Sequence, residues 1–152
     1  MENMENTEMI AVLHLKAGGL EPVVEVLPLT LKNLQGLVGG WLGVVRVGGY
    51  LPDELAHTAL AKYDIWVNDE GLINNLPFNI CLNVQALTEK RYEYAGILAG
   101  DIFLAGRDDE GNTTSIEFAD VPELKRALQT LMLTNQERQE KLQRFMEVSD
   151  NV

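Results

Sequence analysis

The stretch "VNDEGLINNLPFNICLN", Val67 to Asn83, holds five asparagines and one proline among apolar residues. An asparagine side chain offers both a donor and an acceptor, the pair needed to read a base edge or a neutral polar ligand. Asn68, Asn74, Asn75 and Asn79 are therefore candidate ligand-binding residues, with Trp41 and Trp66 as candidate stacking walls and Lys62 and Arg91 as candidate partners for negative charge. The bland alternative for the same residues is structural. Pro77 removes a backbone donor and pushes Leu76 toward extended geometry, and an irregular segment of this kind uses amide side chains to satisfy its own backbone. Asn68, just before a turn, also has the simpler task of closing it. Both readings stay open at this level.

Catalytic chemistry finds no matching constellation. His14 and His57 have no Cys, Asp or second His at ligand spacing beside them, so no metal and no cofactor is expected. The groups "VGGWLG" and "VGGY" lack the lysine of a phosphate loop and follow a helix-then-strand order, so they read as punctuation. "DDE" at Asp108 to Glu110 lacks the alternating ligands of a calcium loop and reads as a solvated turn. Cys81, the one cysteine, lies in an apolar run and reads as a buried thiol. With no nucleophile, base and orienting group together, the expectation is a protein that is not an enzyme.

These residues need a scaffold. A chain of 152 residues with 46% hydrophobic content can bury one core, and the reading is a polar lead over 1–8, a single domain over 9–133 and a helical extension over 134–152. "MIAVLHL" and "PVVEVL" predict a hairpin, Thr30 caps a short helix stopped by Gly39 and Gly40, and Trp41 to Val47 returns as a strand. A short helix or ordered loop follows Pro52. "AKYDIWVN" is a strand with Asp69 to Gly71 as its hairpin turn, and Tyr94 to Gly106 is a glycine-punctuated strand returning through "RDDEGN" to Thr113 to Phe118. Asp120 caps a last helix with Leu124, Ala127, Leu128 and Leu131 on one face. The fold class is α+β, a mixed or mainly antiparallel sheet of hairpins with two or three helices packed on it, the Thr30 and Asp120 helices on one face.

The formal charge is -11, from 12 Lys plus Arg against 23 Asp plus Glu, which disfavours direct duplex nucleic-acid binding. Seven acids and one base lie between Asp101 and Glu123. The polar start and the lack of a long apolar run point to a cytoplasmic protein with no membrane contact. Leu142, Phe145 and Met146 restart an apolar stripe beyond the main domain and point to a homo-oligomer.

Several blocks together carry a resemblance: "LQGLVGGWLGVV", "VNDEGLINNLPFN" and "AGILAGDIFLAG", followed by a capped helix. The chain resembles, over roughly residues 10 to 132, a domain-of-unknown-function family of small phage, plasmid and bacterial proteins, the one numbered thirty-eight forty-six. The matched positions include Val38, Gly39, Gly40, Asn68, Glu70, Gly71, Leu76, Pro77, Asn79, Gly100, Phe103 and Gly106, while Asp101 stands where the family pattern has Thr. The resemblance implies a mobile-element setting and no established reaction. By elimination and by that analogy, the expected function is a non-catalytic accessory protein that sequesters a small nucleotide-like host signal in an anti-defence role. The alternative is an acidic protein-interaction module or nucleic-acid mimic that inhibits a host protein.

Overall fold

The computed structural model describes residues 8–19, 21–47, 50–51, 53–91 and 95–132. The polar lead up to residue 7 and the extension from residue 133 lie outside the described residues. Strand β1 (Met9–Leu15) and β2 (Val23–Pro28) form the first hairpin. Helix α1 (Leu31–Val38) follows, capped where the Thr30 hydroxyl accepts from the Asn33 N–H at 3.2 Å and ended by Gly39 in the left-handed region. Then come β3 (Leu42–Arg46), the short helix α2 (Asp53–Ala56), a 3-10 turn (Ala59–Lys62) and β4 (Asp64–Asn68). The second half contains β5 (Phe78–Cys81), α3 (Val84–Thr88), β6 (Ile97–Ala99), β7 (Ile102–Arg107), β8 (Thr113–Thr114) and α4 (Val121–Leu131).

The main sheet runs β2-β1-β7-β4-β3, with β8 on the end of β7, and every described pairing is antiparallel. The fold is α+β. The helices occupy both faces of this sheet, against the expectation of one. Ala11, Leu13 and Leu15 of β1 pack with Leu124, Ala127, Leu128 and Leu131 of α4, whereas Ile10 and Val12 pack with Leu34, Leu37 and Val38 of α1. Successive side chains of a strand point to opposite faces, and "MIAVLHL" is apolar at both parities, so this central strand needs cover on both sides.

Three further expectations are corrected. Asp69 to Gly71 does not turn a hairpin, because both edges of β4 are already taken, by β3 and β7. The chain instead winds through Asn74 N–H to Glu70 C=O (2.8 Å) and Leu76 N–H to Gly71 C=O (2.9 Å), leaves the sheet at Pro77, and pairs β5 with β6 in a separate two-stranded sheet. Where one strand was expected over Tyr94 to Gly106, the described residues from 95 on hold two, since Gly100 at φ 82° breaks β6 from β7. The return strand after the acidic turn is only Thr113–Thr114. No helix among the described residues is long and apolar enough to cross a membrane.

Candidate binding cleft

Among the described residues strand β3 pairs with β4 alone, so its other side is a sheet edge. Leu42 stands opposite Asn68 and Val45 opposite Ile65, and just outside this ladder Asp69 N–H donates to Trp41 C=O at 2.8 Å. That bond sets the phase of the ladder: the pairs Trp41/Asp69, Gly43/Val67 and Val45/Ile65 exchange hydrogen bonds, and Leu42, Val44 and Arg46 point their N–H and C=O groups outward.

Asn68 ties this edge to α1. Its Nδ2 donates to Val38 C=O (3.3 Å) and its Oδ1 accepts from Glu70 N–H (2.9 Å), which bends the chain away after β4. Two glycines let the bend come close. A Cβ on Gly43 would sit 2.7 Å from an Asp69 carboxylate oxygen, and one on Gly71 would sit 2.8 Å from Ala99 C=O, so the turn lies directly against β3 on one side and β6 on the other.

Between β3, the end of β4, the turn and β6 lies a cleft of about 390 Å³. Its lining comprises Gly43–Val45, Val67–Asp69, Gly71–Ile73 and Ile97–Ala99. Among the described residues Asp69 is the one charged residue in this lining, which holds no Lys, Arg or His. Apolar side chains stay open at its rim: Ile73 is 78% exposed and Leu72 43%, and Trp41, next to β3, is 67% exposed; on the other face of β3, Val44 is 42% exposed. Large apolar groups grouped at a free edge mark a contact surface.

The expected site residues do not gather here as a set. Asn68 lines the cleft. Asn74 and Asn75 are exposed in the turn, and Asn75 takes the left-handed conformation (φ 58°) that asparagine tolerates. Asn79 is 1% exposed, and its Nδ2 donates to Leu15 C=O (3.0 Å) and Gly100 C=O (2.9 Å). Its role is to close the junction between β1, β5 and the Gly100 break. Trp66 stacks on Phe103 at 6.1 Å in the α1 layer, on the opposite face from Val67. Lys62 pairs with Asp120 at 3.0 Å, and Arg91 pairs with Glu89 at 2.6 Å beside α3. The amide-lined pocket with two stacking walls and a base is thus not assembled, because strand alternation sends Trp66 and Val67 apart and burial takes Asn79. Gly43, Asp69, Leu72 and Ile73 are the cleft residues that motif reading missed; a glycine inside a strand was their one visible signal.

Two other polar clusters serve the fold. His14 is buried, with Nε2 donating to Leu37 C=O at the end of α1 (2.9 Å) and Nδ1 against the Glu25 carboxylate on β2. Tyr63 OH donates to Asp120 (2.5 Å) and accepts from Glu117 N–H (3.2 Å). Burial, reinforced by the Asp120 carboxylate, pushes the Tyr63 hydroxyl up to about 12. The Tyr63 and Lys62 hydrogen bonds hold the Asp120 carboxyl below its ordinary value, and the bond to Asp120 raises Lys62. Asp120 therefore gives no side-chain cap to α4, contrary to expectation.

The family profile described as a domain of unknown function, DUF3846, matches residues 9–129. No curated protein and no solved structure matches the chain.

Proposed function

We propose that this chain, which belongs to the DUF3846 family of domains of unknown function, is a non-catalytic binding protein that acts through the cleft beside β3. The observation that carries this reading is the combination of a free strand edge, exposed Trp41, Val44, Leu72 and Ile73, and a lining without any base. A nucleotide-like signal bearing phosphate would meet Asp69 and no compensating cation there. Geometry therefore favours the interaction-module form of the proposal, in which an accessory protein holds and inhibits another protein. Sequestration of a small molecule is the second reading. It is favoured by the cleft volume, and it requires an uncharged or cationic ligand.

A nucleic-acid mimic has less support. Of the acids between Asp101 and Glu123, Asp101 accepts from Ala17 N–H, Glu123 from Ala59 N–H, and Asp120 is held by Tyr63 and Lys62. Carboxylates turned to such internal work do not form a continuous phosphate-like face. A cytoplasmic, mobile-element anti-defence setting is the biological frame of the proposal. Self-association through Leu142, Phe145 and Met146 belongs to the same frame, although those residues lie outside the described ones.

Native mass spectrometry of the protein recovered from the cells that produce it tests the reading. A retained second polypeptide is expected. A retained small molecule supports the second reading instead, and the bare chain under all conditions contradicts both.

A further inference from the structure

We infer that the partner docks by strand addition: an extended polypeptide segment pairs with the outer edge of β3 and places a basic and an apolar side chain, two residues apart, into the cleft. This inference rests on the binding reading above and names the chemistry of its partner. The outward N–H and C=O groups of Leu42, Val44 and Arg46 have no strand partner among the described residues, and unpaired edge groups are the template for added strands.

The two edges of the main sheet differ in how they are protected. On β2, Leu29 N–H donates to Glu8 C=O at 2.7 Å, and with the hairpin register this turns Val24, Val26 and Pro28 outward. Pro28 has no N–H to offer, so that edge is interrupted at its end. The outward positions of β3 contain no proline, and Gly43 lets the Asp69 carboxylate lie against the cleft side of the strand.

Directly opposed residues in neighbouring strands project to the same face. A partner residue opposite Gly43 therefore meets the Asp69 carboxylate that lies over that glycine, and a partner residue opposite Val45 meets the apolar end of the cleft. On the other face, the residue opposite Val44 meets a 42% exposed valine. Charge decides between a foreign segment and a second copy. Each copy carries a formal -11, and the charge in the cleft is again negative, so a basic or neutral segment is favoured over self-pairing.

The experiment selects binders to the full chain from a displayed library of random peptides of about ten residues, a length that spans one strand. Selected peptides are then synthesised and bound while backbone amide exchange is followed. Enrichment of a basic residue two positions from an apolar one is expected, with exchange at Leu42, Val44 and Arg46 slowed about tenfold or more. Val44→Pro removes an outward N–H while leaving the ladder to β4 intact, and is expected to weaken binding by about tenfold or more, with Val44→Thr close to wild type. Should Val44→Pro fail to fold, Leu72→Lys puts a cation into the cleft lining without touching the edge, and is expected to weaken the same basic peptides. The inference is overturned if no peptide is enriched, if acidic peptides are selected, if binding leaves β3 exchange unchanged, or if wild type is a dimer that Val44→Pro dissociates. A native complex that forms without protecting β3 also removes strand addition and leaves the binding reading standing. Peptide protection of β3 without any native complex leaves strand addition and removes the proposed function.

Discussion

Asn79 separates a structural amide from a recognition amide at the level of one residue. Both hydrogens of its Nδ2 are spent on carbonyls that burial hides from water, Leu15 on β1 and Gly100 at the β6–β7 break. Asn79→Ala leaves those acceptors without partners and is expected to lower unfolding free energy by about 1–3 kcal/mol, read by denaturant titration, with partner binding unchanged at temperatures where the variant is folded. Asn74 has an exposed side chain and carries no such load, so Asn74→Ala is expected to leave the unfolding free energy within about 0.5 kcal/mol of wild type, whereas at Asn75, held at φ 58°, Gly keeps it there and Ala costs about 1 kcal/mol. The amides were visible in the sequence, and their division of labour was not. Whether an asparagine at a given position faces the core depends on where Pro77 redirects the chain, and that depends on β7 occupying the edge of β4 from 37 residues away in sequence, as in the Trp66 and Phe103 pairing, or farther.

At the scale of elements, local signals were legible where the chain makes its own bonds. The Thr30 cap, the Gly39 stop and the apolar face of α4 all depend on neighbours within a few residues, and each is found where its residues stand. Sheet partners and helix sides were misread because they are settled by long-range competition for edges and faces. Helix α3, started by the Asn83 side chain accepting from Ala86 N–H at 3.0 Å, was missed because its cap closes an asparagine-rich stretch read as irregular. The junction of β4 with α4 yields a pH prediction. Tyr63, with its hydroxyl raised to about 12 against an ordinary value near 10, contributes stability that is fully present below about pH 10 and is lost as pH rises through about 12. Lys62 is also raised and acts with the same sign, while Asp120, lowered, contributes stability above its ordinary carboxylate range that is lost in acid. Melting temperature followed from neutral pH to pH 12 is therefore expected to fall more steeply for wild type than for Tyr63→Phe, which retains only the Lys62 part. Parallel curves would show that the Tyr63–Asp120 bond does not couple folding to alkaline titration.

For the whole molecule, function reduces to which surface is left for a partner once folding has used the rest. Both faces of the main sheet are covered, by α1 on one side and α4 on the other, and the β2 edge ends in Pro28. Among the described residues the β3 edge, with the apolar rim of its cleft, stays open, set in a molecule of formal charge -11. The measurement that tests this most directly is native mass spectrometry of the recovered complex with Ile73→Lys and Asn79→Ala compared side by side. Ile73 is 78% exposed, so its replacement should leave the melting temperature near wild type and abolish the retained polypeptide, whereas Asn79→Ala should melt earlier and keep it. A complex that survives Ile73→Lys, or one lost on Asn79→Ala while the variant is still folded, would contradict the assignment of the cleft as the binding surface.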